Sequence, residues 1–361
     1  MERREYLRAA ALAGTAGGVA GCTDLVETRE VRSVPPVLSD RPDGVYHPTH
    51  VDGMEMVGTG ESDDSEYAVA LAYTYPHRFW RVDGAAESVE DATRATPDGE
   101  DIHLMGLVWD PETGRTLPEA GVSVDIRRDG EPLDEQVIYP MLSPQMGFHY
   151  GANFALEGDG EYAVEVTVGG TGVRRTGAYC GRFDGAGTVT VPFEYSAAAR
   201  DDIPVERTPE RAGDSDAPPV MGMDVPLGVA PVPDSLPGTG HGTAAAGDLR
   251  LAVRTLEAPP AGVDGDGTYL AVSARTPYNG LVVPMTRLGA TLERGSETAF
   301  EGRLRRTFDD RLGYHYGAVV DSVESGDELA VGVRTPPQVA RHEGYETAFL
   351  EVPDAELTLS F

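Results

Sequence analysis

Three side chains suited to soft metal coordination fall within nine residues: Met141, Met146 and His149, in Ile138-Tyr-Pro-Met-Leu-Ser-Pro-Gln-Met-Gly-Phe-His-Tyr-Gly-Ala152. A Ser143-Pro144 turn lies between them, and Pro- and Gly-bounded turns of this kind bring flanking residues together. Thioether plus imidazole suits copper, whereas imidazole alone would equally suit zinc or iron. The core of this stretch returns as Leu-Gly-Tyr-His-Tyr-Gly-Ala from Leu312 to Ala318. Upstream, Ile102-His103-Leu104-Met105-Gly106-Leu107-Val108 alternates so that, as a strand, it turns His103, Met105 and Leu107 to one face. Met54 and Met56 share the same one-face spacing and are candidates both for the site and for the core.

The elements that must position these residues are strands. Val122, Val124 and Ile126 alternate with polar residues, as do Tyr162 to Val168 and Val189 to Tyr195, while Gly, Pro and Asp punctuate the intervals. Such a pattern predicts an all-β chain of Ig-like antiparallel β-sandwiches. Two sandwiches in tandem follow from an internal repeat. His103 aligns with Tyr269, Gly114 with Gly280, and Gly147 to Ala152 with Gly313 to Ala318, all at one offset (269 − 103 = 315 − 149 = 166). Residues 46–195 are expected to form the first domain and 248–361 the second, joined by a Pro-, Gly-, Ala- and Asp-rich linker at 196–247. Across the repeat Tyr269 stands at the place of His103, Ala271 at that of Met105 and Thr307 at that of Met141, while His315 matches His149. One equipped site and one degenerate copy are expected.

Residues 1–22 read as an export signal: Arg3-Arg4, an apolar run and Val19-Ala20-Gly21-Cys22 look like a twin-arginine leader ending in a lipobox. Cys22 would then carry lipid, with 23–45 as the tether, placing the protein outside the cell on the outer face of its membrane. The chain has 60 Asp and Glu against 29 Lys and Arg, a net charge of −31 and not one lysine. That balance excludes nucleic acid as a partner. It is the composition of a halophilic archaeal protein, soluble in molar salt where charge repulsion is screened over roughly 3 Å. With Cys22 lipidated, Cys180 has no partner and is expected to be a buried, inert thiol. No phosphate loop or nucleophile elbow is present, so catalysis is not expected.

The first half resembles the small periplasmic copper-binding proteins associated with iron transport in bacteria. The resemblance rests on Asp101-Ile-His-Leu104, on Met141 followed by His149-Tyr-Gly-Ala-Asn153, and on Gly53-Met-Glu55. It implies an Ig-like sandwich that binds copper, supports iron uptake through a membrane permease and dimerises. The family's ligands (a His, a Glu two residues on, a Met, the His before Tyr-Gly and a later Gly-Arg-His histidine) fall on His103, Met105, Met141, His149 and Arg175. Met105 replaces the carboxylate and Arg175 the last histidine, whereas the second copy keeps Arg341-His342. The resemblance therefore implies a softer site, and leaves His342 to reach across from the second domain within a pseudo-dimer. The competing reading is an interaction or surface module whose histidines are structural.

Overall fold

The computed structural model describes residues 36–84 and 88–361; the leader, Cys22 and most of the tether lie outside them. The first half runs β1 (His50–Asp52), β2 (Glu55–Glu61), β3 (Ala68–Thr74), β4 (Phe79–Arg81), β5 (Thr93–Ala95), β6 (Ile102–Trp109), β7 (Ala120–Arg128), β8 (Glu131–Val137), β9 (Tyr139–Ser143), β10 (Gly147–Phe154), β11 (Gly160–Thr171), β12 (Arg174–Thr176) and β13 (Gly187–Tyr195). After α1 (Ala197–Asp201) and β14 (Val205–Arg207) the second half runs β15 (Thr239–Ala246), β16 (Leu249–Leu256), β17 (Thr268–Arg275), β18 (Arg287–Arg294), β19 (Glu297–Asp309), β20 (Gly313–Val320), β21 (Glu328–Thr335), β22 (Ala340–Arg341) and β23 (Ala355–Thr358).

The expected all-β class holds. In β7, β11 and β13 every second residue is buried, and Val122, Val124, Ile126, Val164, Val166, Val168, Val191 and Phe193 all join one apolar core. That core also takes in Leu251, Val272, Leu288 and Tyr316 of the second half, so it is continuous across both.

The strand orders of the halves correspond. In the first, β2-β3-β6-β10-β9 lie side by side and β13-β11-β7-β8 form the facing sheet; in the second, β15-β16-β17-β20-β19-β18-β21-β23 form one path. The difference is a break. β19 runs unbroken over 297–309, whereas the equivalent 131–143 is split into β8 and β9 at Ile138, whose N–H bonds Val122 O. Backbone landmarks recur at the offset of 166: left-handed φ at Gly147 (70°) and Gly313 (69°), and at Gly114 (67°) and Gly280 (64°).

Each half lends the other a short strand. β22 pairs in parallel with β9 (Ala340↔Met141, Arg341↔Leu142), and β12 pairs in parallel with β19 (Arg174↔Thr307, Thr176↔Asp309). The register corrects the sequence alignment: Arg175 is the counterpart of Arg341, and Thr176, not Arg175, is the counterpart of His342.

The stretch expected to be a linker is packed structure. β14 pairs with β1, β15 is an edge strand of the second half, and Ala217, Ala230 and Leu236 are buried. Met223, Val225 and Leu227 pack against a buried cluster of Ala70, Ala72, Met105, Leu107 and Met146. Its Pro and Gly content reflects a chain laid over the outer face of a sheet, where few ladder bonds are needed. The end of the tether is likewise packed, since Val45 is buried and its N–H bonds Asp248. No helix among the described residues is long and apolar enough to cross a membrane.

Candidate metal centre

Covering the outer face leaves β6 buried on both sides. Ile102 and Leu104 enter the main core; His103, Met105 and Leu107 face the other way, as the alternation predicts. On the adjacent β10, Asn153 stands opposite His103, and His149 stands opposite Met141 of β9. β22 then lies on the far side of β9 and delivers His342, whose N–H bonds Leu142 O at 3.2 Å.

The three imidazoles converge. One ligand nitrogen from each of His103, His149 and His342 lies within 4.8 Å of the others. Asn153 Oδ1 accepts a hydrogen bond from His103 Nδ1 at 2.7 Å, and Gly147 O accepts one from His149 Nδ1 at 3.0 Å. Both acceptors are oxygens without a proton to give, so each Nδ1 carries the hydrogen and each Nε2 keeps its lone pair. Nε2 of all three histidines is buried with no hydrogen-bond partner. An orphaned buried polar atom costs about 1–3 kcal/mol, so three such nitrogens at one point are a standing debit that a cation would remove. Burial holds His149 down at about pKa 4, and holds His103 and His342 well below the usual imidazole range, with the neighbouring histidines adding to the depression. The rings are therefore neutral at physiological pH, which is the ligating form.

Met141 completes the cluster. A methyl group placed on Gly151 would lie 2.9 Å from His103 Nε2 and 3.1 Å from Met141 Sδ, so both atoms overhang the one residue in β10 that leaves them space. Gly151→Ala should therefore keep the fold, because its backbone is ordinary strand, while lowering metal affinity by about tenfold or more as His103 and Met141 are pushed aside. Unchanged binding in a metal titration of the folded variant would show that the space above Gly151 is not used.

The second half has the same scaffold with its site closed. Tyr269 OH sits 3.0 Å from His315 Nε2, and Arg174 on β12 bonds both Tyr269 OH and Thr307 Oγ1 at 2.9 Å. Tyr269 presses over Gly317 more closely than His103 and Met141 press over Gly151. Nothing is left orphaned at His315.

The remaining candidates separate. Met105 and Met146 are buried together, with Met54 and Met223 packed against them, and Met54, Met105 and Met146 form one wall of a pocket of about 100 Å³ that leads to His149 and His342. Met56 is 42% exposed and does not line that pocket. Arg175 faces away and pairs with Asp184. Cys180, expected to be buried, is exposed on the loop after β12, with its thiol 3.2 Å from Ala261 O. Sequence reasoning missed His77. Its ring is edge-on to both His103 (5.1 Å) and His342 (5.3 Å), and its backbone N–H and C=O are clasped by Asn153. Its only signal was Tyr75-Pro76-His77 closing a buried strand.

A family model described as a domain of unknown function (DUF7350) matches residues 51–179 and 234–358. The chain belongs to that family. Among solved structures, a copper-bound variant of FetP from uropathogenic Escherichia coli strain F11 is 22% identical, covering 39% of this chain and 97% of its own, with a TM-score of 0.28. FetP of the same strain in its as-isolated form is 20% identical over 41% and 96%, TM-score 0.27. A copper-bound variant of Campylobacter jejuni P19 is 18% identical over 41% and 97%, also with a TM-score of 0.27. No curated protein sequence matches the chain.

Proposed function

We propose that this protein is an extracytoplasmic copper-binding lipoprotein that supports iron uptake, with His103, His149 and His342 holding the metal and Met141 beside them. The observation that carries the reading is the convergence of three buried, unpartnered imidazole nitrogens drawn from both halves of the chain. Three neutral nitrogens and a thioether, with no carboxylate among them, form a soft donor set that favours Cu(I). Bound copper would supply one-electron redox between Cu(I) and Cu(II); the protein's part is to fix the imidazoles through Asn153 and Gly147 and to exclude water. We assign it no catalysis.

The matching strand orders and the constant offset support reading the halves as a fused duplicate whose exchanged strands imitate a dimer, one site kept and the other closed by Tyr269 and Arg174. The leader and Cys22 support export and lipid anchoring, the iron permease is the partner that the family resemblance implies, and the acidic, lysine-free surface fits a halophilic archaeal source. Cu(I) titration of the full chain against a competing chelator tests the core of this. One equivalent should bind, His149→Ala should abolish tight binding, and His315→Ala should leave it unchanged. Binding that ignores His149 would make the histidines structural and favour the interaction-module reading.

A further inference from the structure

The pocket that leads to the triad is lined by thioethers to a degree that packing does not require. Met54, Met105, Met146 and Met221 line it, four of the nine methionines in the chain, and Met223 packs against the cluster that holds Met105 and Met146. They are graded by depth: Met54 and Met221 are half-buried, Met105 and Met146 are each 3% exposed, and His149 is 1% exposed. His149 and His342, whose Nε2 atoms are orphaned, line the same pocket. Methionine is a common core filler, but the second half shows that this scaffold packs without it. Ala271 and Leu312 stand at the places of Met105 and Met146, at the offset of 166 (271 − 105 = 312 − 146), and are buried together with Tyr269. The copy whose site is closed lacks the thioethers.

The backbone that carries them is fixed. Met146 N–H bonds Ser143 Oγ at 3.2 Å within the turn from β9 to β10, and Met221 N–H bonds Gln145 O at 3.0 Å, so Met221 is laid beside that turn. Asn279 of the second half clamps both segments, donating from Nδ2 to Pro144 O at 2.9 Å and to Pro218 O at 2.8 Å. Gly53 N–H bonds Pro204 O at 2.8 Å, which secures the chain just before Met54. A methionine side chain has three rotatable bonds and a polarizable sulfur, so on a fixed backbone each sulfur can still follow a moving ion. Two harder donors of the pocket, Glu343 and His50, are both hydrogen-bonded to Thr49 Oγ1, at 2.8 and 3.0 Å.

We propose that Met54, Met105, Met146 and Met221 form a thioether port, a second and weaker site for a soft monovalent ion, through which Cu(I) is handed to the triad. Neutral sulfur donors suit Cu(I) rather than divalent ions that favour imidazole or carboxylate, so the port selects the ion before the triad holds it. The transfer balances: each Cu–S bond broken is replaced by a Cu–N bond, and the copper stays Cu(I). No proton moves, since thioethers carry none and the rings of the triad are already neutral. The direction of transfer rests on the copper reading of the triad; the thioether site does not.

Stopped-flow transfer of Cu(I) from its bicinchoninate complex to the full chain tests the port, comparing the wild type with Met54→Leu, Met105→Leu, Met146→Leu and Met221→Leu combined. Leucine for methionine conserves volume, so the fold should be kept. The combined variant should reach the wild-type Cu(I) affinity, which shows that it is folded, but load about tenfold or more slowly, a barrier higher by about 1.4 kcal/mol or more. In His149→Ala, the weakly held Cu(I) that remains should show more than one sulfur neighbour by X-ray absorption, which Met141 alone does not supply, and the four leucines should remove it. Wild-type loading rates in the combined variant, or a residual ion without those sulfurs, would overturn the port. A wild type that binds Cu(I) only through sulfur would instead overturn the copper reading of the triad and leave the thioether site standing.

Discussion

His342→Ala is expected to weaken Cu(I) binding by about a hundredfold or more, although His342 lies 201 residues from Met141 and in the other half of the chain. Outer-sphere partners of metal ligands are worth roughly 10–100-fold in affinity, and a ligand cannot be worth less than the groups that orient it. His342 supplies one of three converging nitrogens and is carried in on the strand that pairs with β9. A second measurement follows from linkage. Cu(I) at about a thousand times its dissociation constant stabilises the folded state by about 4 kcal/mol, so it should raise the unfolding midpoint of the wild type and move that of the variant far less. If His342→Ala binds and is stabilised like the wild type, the second half donates no ligand, and the site reduces to His103, His149 and Met141.

Much of this was legible because period-two burial is a local property. The facing of His103 and Met105 on β6, the pairing of a conserved-offset His149 with Met141, and the difference between His149 and His315 all follow from strand alternation and a repeat that a reader can align by hand. The contribution of His342 was legible only as a gap: a histidine absent from one copy and present in the other. The exchange of β12 and β22 that fills the gap depends on long-range parallel pairing, which leaves no periodic trace in two- or three-residue strands. For the same reason a one-residue register error put Arg175, rather than Thr176, opposite His342. Met56 was tied to the site by its spacing to Met54 alone, and spacing does not say how far a strand end lies from a pocket. The segment 196–247 looked like a linker because Pro and Gly break ladders, yet its scattered apolar residues suffice to bury the face that carries Met105. His77 was missed because it sits on the loop after β3, where no periodic pattern marks it as a neighbour of His103 and His342.

The second large effect is on stability against acid. In the unfolded chain a histidine titrates near pKa 6.5, but in the fold burial lowers His149 and His315 to about 4 and His77 to about 3, and takes His103 and His342 well below the usual range. Between pH 6.5 and 4 the unfolded state therefore binds more protons than the folded one, and stability must fall as pH falls. Each such histidine contributes a slope of up to about 1.4 kcal/mol per pH unit, and His149 and His315 each sum to about 3 kcal/mol across their window. Glu119 and Glu346, whose carboxyls burial raises, pull the other way, but they are two groups against five. Asp110 and Asp327 are held below the normal carboxylate range and lose their contribution only at lower pH. The metal-free protein should accordingly lose several kcal/mol of unfolding free energy between pH 7 and 5 in denaturant titrations. Ordinary surface carboxylates remain ionised over that interval, so relief of the acidic surface's self-repulsion does not obscure the trend. His149→Gln removes one of the five protons and should make the slope correspondingly shallower. A stability that stays flat from pH 7 to 5 would mean that these imidazoles can protonate inside the fold, and that the triad is a solvated cluster rather than a dry metal pocket.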